Sequence, residues 1–274
     1  MHVAMATSAS APGRVNEDFV GAVPGAVVLL DGAGIPGTES ICQHGVAWYT
    51  HRLGGTLLGR LPAASGQDLR GVIADSIGQI AGEHRRTCDI TNPSSPQATV
   101  MVFRVDGDRA DFAALADSFL VLEKASGAPQ VITDEREVAV RRQCSEVLSG
   151  VAKGTPEYDR ALQAYIDAVR SRRNQPGGYW IAKDDPDAAA QALTGSTPVS
   201  DLTGVALLSN GASRIVDPYG LADWPDVVGL LRAKGPAEII HRVRDAEADG
   251  SRAGFQPLAK AADDATAAYC TSFG

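Results

Sequence analysis

The sequence predicts an α+β protein made of mostly antiparallel sheet layers with helices outside them. Three observations carry this. Strand-like stretches come in neighbouring pairs, helical stretches come in pairs between them, and strand patterning returns at the end of the chain. Pro24-Gly25 and Asp106-Gly107 are the tight turns that join consecutive antiparallel strands.

Met1 to Gly13 is small and polar and reads as a flexible start. Phe19 to Leu30 holds two apolar stretches split by Pro24-Gly25, a hairpin ending at Asp31, which would bring Asn16-Glu17-Asp18 near Asp31-Gly32. Glu39 to Leu58 and Gln67 to Cys88 read as helices covering a sheet, the second with Leu69, Val72, Ile73, Ile77 and Ile80 on one face. Asn92 to Gln97 is a loop, followed by strands Ala98 to Val105, Ala110 to Ala116 and Phe119 to Lys124. Tyr158, Leu162, Tyr165, Ile166 and Val169 mark a helix ending near Arg170 to Arg173, before the Gln175-Pro176-Gly177-Gly178 breaker. Val205 to Leu208 is a strand running into Ser209-Asn210-Gly211. Val227 to Leu231 and Ala237 to Val243 are helices broken by Gly235-Pro236, and Ala267 to Thr271 closes the sheet. The alanine-rich pieces at 188 to 192 and 259 to 268 are helix or loop filler. At 274 residues we expect one domain, 1–274, with a flap or insertion within about Pro129 to Pro198 that carries specificity.

A hydrophobic content of 44% with 21% charged residues is that of a folded chain. The net charge of −8 argues against a nucleic-acid binder, because phosphate backbones are held by excess Lys and Arg. The start carries no basic and apolar export signal, and no run of about 18 apolar residues occurs, so the expectation is a cytoplasmic protein without a membrane partner. Cys42, Cys88, Cys144 and Cys270 form no Cys-x-x-Cys pair and read as separate reduced thiols. His44, His51, His84 and His241 lie on expected helices without a His-x-x-x-His partner, and His2 lies in the flexible start. All five read as ordinary histidines rather than zinc ligands. Arg170, Arg172 and Arg173 read as solvated charge at a helix C-terminus, where cations meet the helix dipole favourably.

The chemistry lies in acidic turns. Val27-Val28-Leu29-Leu30 runs straight into Asp31-Gly32, with Asn16-Glu17-Asp18 upstream and Asp263-Asp264 near the far end. A hard cation such as Mg²⁺ or Mn²⁺ prefers oxygen ligands, so a few carboxylates at strand ends are enough to hold it. Asp31-Gly32 alone would be an ordinary turn. Joined by Glu17, Asp18 and Asp263, it reads as a metal site. Asp117-Ser118 has no nearby histidine and reads as a turn rather than a catalytic pair.

Asn16-Glu17-Asp18, Leu30-Asp31-Gly32-Ala33-Gly34, Ala116-Asp117-Ser118, Leu208-Ser209-Asn210-Gly211 and Asp263-Asp264-Ala265-Thr266 resemble, in order and spacing, the motif series of the protein phosphatase 2C (PPM) family, as in a distant bacterial-type member. The resemblance implies an αββα sandwich, two central, mostly antiparallel β-sheets flanked by helix pairs. It also implies a hydrolase, a metal-dependent protein serine/threonine phosphatase in which metal-activated water attacks phosphoserine or phosphothreonine directly. By the same resemblance, Asp31 would bridge two Mn²⁺ or Mg²⁺ ions and the Gly32 carbonyl would bind one of them. Glu17 and Asp18 would act through metal-bound water, Asp263 would ligate the other ion, and Arg14 would clamp phosphate. Asp117 is the weaker candidate, for a third ion.

The departures are specific. Asn210 stands where the family places a metal-ligating Asp, which removes one negative charge and predicts weaker occupancy of one ion. Asp264 or Asp217 would be the residues to supply that charge. Arg14 lies three residues before Glu17 where four are expected, Ala116 and Phe119 flank Asp117-Ser118, Ala33 replaces a histidine of some members, and Ile35 replaces a common Gly. Two functions follow as expectations: phosphoprotein hydrolysis, or a pseudophosphatase that uses the same fold to bind a regulatory protein partner.

Overall fold

The computed structural model describes residues 1–34, 40–249 and 262–273. In chain order the strands are β1 (His2–Ser8), β2 (Phe19–Val23), β3 (Ala26–Leu30), β4 (Gly32–Ala33), β5 (Gln97–Ala98), β6 (Val100–Asp106), β7 (Arg109–Leu115), β8 (Phe119–Lys124), β9 (Gln130–Ile132), β10 (Leu193–Pro198), β11 (Leu202–Leu208) and β12 (Ala265–Thr271). The α-helices are α1 (Gly45–Arg60), α2 (Leu69–His84), α3 (Arg136–Cys144), α4 (Pro156–Ser171), the short α5 (Asn210–Ser213), α6 (Trp224–Lys234) and α7 (Pro236–Asp249).

Two five-stranded antiparallel sheets stack face to face. One runs β1-β12-β11-β8-β9 and the other β10-β7-β6-β3-β2, with β4-β5 as a small separate ladder. Alternation along β3 shows why its run is apolar throughout. Val27 and Leu29 point between the sheets with Met101, Phe103, Leu120, Leu207 and Ala268. Val28 and Leu30 point the other way, against Tyr49, Leu53 and Leu57 of α1 and Ile73, Ile77 and Ile80 of α2. Helices α6 and α7 cover the opposite outer face through Val227, Leu231, Ile239 and Val243. The layers are therefore helix, sheet, sheet, helix, as the sequence predicts. Each fully buried Leu or Ile in them contributes about 1.5–3 kcal/mol.

Several elements differ from expectation. The start is not loose: β1 pairs with β12 along its whole length, from His2↔Thr271 to Ser8↔Ala265. Its small, mixed side chains give little apolar signal, and the backbone ladder on an edge supplies the order instead. Helix α1 begins at Gly45 rather than Glu39, and α2 ends at His84 with Cys88 in the turn beyond. Glu39, Ile35 and residues 259–261 of the alanine-rich piece lie outside the described residues. The stretch from Pro129 to Pro198 is only partly an insertion, since β9 and β10 are edge strands of the two sheets. Between them, α3 and α4 build a small lobe around Val140, Tyr158, Tyr165, Val169, Tyr179 and Ile181, whose core reaches Ala116. Arg173 is not merely solvated: it donates to the Pro93 carbonyl and the Tyr179 hydroxyl, tying the lobe to the loop before β5.

The four cysteines are free, yet Cys42 and Cys88 do not stand apart. They converge with His44 and His84, against the expectation of separate thiols and ordinary histidines. No helix among the described residues is long and apolar enough to cross a membrane.

Candidate active site

Strand register brings the acidic turns to one end of the sandwich. Phe19 pairs with Leu30, so Asp18 and Asp31 flank the same rung of the β2-β3 hairpin. Leu208 pairs with Phe119 on one side and Ala267 on the other, which puts the turns containing Asn210, Asp117 and Asp263-Asp264 side by side. The Asp117 turn also carries the chain from one sheet to the other, between β7 and β8.

Asp31 is fixed through both main chain and side chain. Its N–H donates to Thr99 Oγ1 at 3.0 Å and its carbonyl accepts from Thr99 N at 2.9 Å. Thr99 Oγ1 in turn lies 2.7 Å from the fully buried Ser118 Oγ. Ser118 is thus a structural link between the Asp31 and Asp117 turns. Asp31 Oδ2 accepts from Asn210 N at 2.9 Å. Gly32 is required by close approach, because a Cβ there would overlap the Glu17 carbonyl oxygen and press on Val46 of α1.

Burial pushes the Asp31 carboxyl well above the ordinary range, and the neighbouring charges of Asp18, Asp263 and Asp117 push it further. Asp18 is 3% exposed, and its Oδ2 has no hydrogen-bond partner among the described residues. Burial raises its carboxyl to about 7, helped by the charges of Asp264 and Asp263 and opposed by the Thr266 and Ser209 hydroxyls beside it. Asp117 is likewise raised to about 7 by burial and then by the charge of Glu137, while the neighbouring Asn210 side chain lowers it.

The remaining residues divide clearly. Asp264 is committed to the backbone: its Oδ1 accepts from Ser10 N at 2.7 Å and its Oδ2 from Glu17 N at 2.6 Å. It pins the loop that delivers Asp18 and does not supply the charge Asn210 lacks. Asp217 is exposed beyond α5, so it does not either. Asp263 lies 3.4 Å from Arg214, which also meets Glu247 at 3.3 Å. Arg14 is exposed on the loop before Asp18. The sequence reading missed Glu137, which α3 brings beside Asp117 and which pairs with Arg141 at 2.8 Å. Its only signal was the Glu137/Arg141 spacing of four. Arg214 and Thr99 were missed as well, because their partners lie far away in sequence.

A carboxylate cluster whose buried member, Asp18, has one oxygen unpartnered suits cations, since a dication replaces the protons these groups otherwise need. The donor set is oxygen only, as Mn²⁺ or Mg²⁺ requires.

No family model matches the sequence, and no curated protein is detectably similar to it. Solved structures do match. PppA, a key regulatory component of T6SS in Pseudomonas aeruginosa, aligns over 98% of this chain and 96% of its own with TM-score 0.60 and 17% identity. The catalytic domain of the serine/threonine protein phosphatase PstP, solved with two manganese ions, aligns over 98% and 96% with TM-score 0.59 and 16% identity.

The chain has the protein phosphatase 2C fold.

Stp1, a serine/threonine phosphatase from Staphylococcus aureus, matches it over 99% of this chain and 95% of its own with TM-score 0.61 and 14% identity. Each of these alignments covers at least 98% of this chain.

Proposed function

We propose that the chain is a protein serine/threonine phosphatase that uses two Mn²⁺ or Mg²⁺ ions. The observation that carries this reading is the unpartnered, buried Asp18 Oδ2 beside an Asp31 crowded by Asp263 and Asp117. Asp31 would be shared between the ions, the Gly32 carbonyl and Asp263 would each hold one, and Glu17 and Asp18 would act through water. When bound, the ions lower the pKa of a water and neutralise phosphoryl charge. Asp18 would orient the attacking water through Oδ2, Asn210 N–H holds the Asp31 carboxylate in place, and the exposed Arg14 would clamp the phosphoryl group. Asp117, with Glu137 beside it, is the place for a third ion.

The lobe of α3 and α4 borders Asp117 through Ala116 and Glu137, which supports a role in choosing phosphoprotein substrates. We place it within a single domain of a cytoplasmic protein.

A second reading rests on its own observation. The Asn210 N–H donates to Asp31, its side chain lies beside Asp117, and Arg214 faces Asp263, so protein groups occupy part of the role of cations. On that reading the chain is a pseudophosphatase that binds a regulatory protein partner.

Hydrolysis of a phosphothreonine peptide, titrated with Mn²⁺ and Mg²⁺ beside Asp31→Ala, separates the two. Metal-dependent turnover that vanishes in Asp31→Ala supports the enzyme. Folded protein that binds Mn²⁺ without turnover supports the pseudophosphatase, and turnover retained in Asp31→Ala sinks the proposed mechanism.

A further inference from the structure

We propose that Cys42, His44, His84 and Cys88 form a structural Zn²⁺ site, separate from the acidic end, that clasps the start of α1 to the end of α2. One donor atom from each residue lies within 4.8 Å of all the others. His44 Nδ1 is 3.2 Å from Cys88 Sγ, and Cys42 Sγ is 3.9 Å from both His44 Nδ1 and His84 Nδ1. Zinc bonds to sulfur near 2.3 Å and to nitrogen near 2.0–2.1 Å, which places tetrahedral S and N neighbours roughly 3.5 Å apart. The observed separations straddle that value, so the four groups need only small rotations to close on an ion.

The chemistry selects the metal. Two thiolates and two imidazoles are the soft and borderline donors that favour zinc over Mn²⁺ or Mg²⁺. Binding releases the two thiol protons, involves no electron transfer and leaves a site of zero net charge, as a buried position requires. Cys42 and His84 are buried at 4% and 2% exposure. Trp48 stacks on His44 at 4.3 Å and lies 5.2 Å from His84, covering one side of the cluster.

The placement explains what the clasp would do. His44 is the N-cap of α1 and makes no side-chain capping bond, while His84 closes α2 and Cys88 follows in the next turn. One backbone bond, Asp89 N to Ile41 O at 2.9 Å, already joins these segments. Two residues past His44, Val46 packs where a Cβ on Gly32 or Gly34 would fall, so the clasp anchors the helix turn that backs Asp31-Gly32.

The test is metal analysis of the reduced, full-length protein, followed by titration of the zinc-stripped protein with Co²⁺. We expect one zinc per chain, and with cobalt a thiolate-to-metal charge-transfer band with intense tetrahedral d–d bands. Both should persist in Asp31→Asn and be lost in the Cys42→Ser/Cys88→Ser double variant. Oxygen-only coordination gives no sulfur band, which distinguishes this site from the acidic one. Because the double variant could fail to fold, the wild-type cobalt spectrum decides. Reduced, folded protein without that band overturns the proposal, as does a Cys42–Cys88 disulfide whose reduction yields no zinc or cobalt uptake. Zinc retained in the folded double variant also overturns it.

Discussion

The main-chain N–H of Asn210 donates to Asp31 Oδ2 at 2.9 Å across 179 residues of sequence, and the amide side chain of the same residue lies beside Asp117 and lowers its carboxyl pKa. Asn210 therefore sits between two carboxylates whose charges repel. An Asp there would add a third negative charge beside them.

Asn210→Asp should destabilise the metal-free protein by about 1–3 kcal/mol, the cost of a further like charge beside Asp31 and Asp117, and strengthen Mn²⁺ binding. Thermal unfolding in chelator and in Mn²⁺ checks both: the melting temperature should fall in chelator, and the Mn²⁺-induced rise should exceed that of wild type. An unchanged metal response would show that Asn210 does not limit occupancy.

In metal-free protein, burial holds Asp18 and Asp117 at about 7, above the ordinary carboxyl value of 3.8. Native protein then keeps protons that the unfolded chain releases, so stability is greatest below about pH 4 as far as these groups decide it. It falls as pH rises towards 7. Urea unfolding in chelator should show this decline. Saturating Mn²⁺ should flatten it, because cations replace the protons, and stabilisation by Mn²⁺ should be larger at pH 7.5 than at pH 5.

Ala116 sits at φ +68, a left-handed conformation that costs an L-residue roughly 1–2 kcal/mol. Ala116→Gly relieves this strain at some cost in unfolded-chain entropy, and a net gain of up to about 1 kcal/mol is expected in the denaturant midpoint. Ala116→Val should instead destabilise, since a β-branched side chain tolerates positive φ poorly.

Gly32→Ala and Gly211→Ala would drive a Cβ into the carbonyl oxygens of Glu17 and Asp264. Each should cost about 1–3 kcal/mol or more, seen as a lower denaturant midpoint with unchanged slope. Mn²⁺ stabilisation should weaken too, because the backbone that carries Asp18 or Asp263 is displaced.

Much of the sandwich was legible because burial on both faces writes itself as continuous apolar runs. Val27 to Leu30 and Phe119 to Lys124 appear as strands where expected. The acidic turns were legible for a related reason, since carboxylates at the ends of such runs stand out against them. Strand β1 was not, because its order comes from a backbone ladder with β12, and backbone hydrogen bonds leave no side-chain signature. The lobe helix α3 was equally faint, with mostly polar residues around Val140.

The sequence by itself determined the layered fold and placed acidic turns at the ends of its strands, because hydrophobic periodicity and turn chemistry are local properties. Only the tertiary structure decided which groups face one another. It committed Asp264 to Ser10 and Glu17, turned the Asn210 N–H into a donor for Asp31, and brought Glu137 beside Asp117. It also gathered Cys42, His44, His84 and Cys88 from the two ends of a helix pair. These contacts depend on register and helix packing between segments tens to hundreds of residues apart, and spacing along the chain carries no measure of that distance.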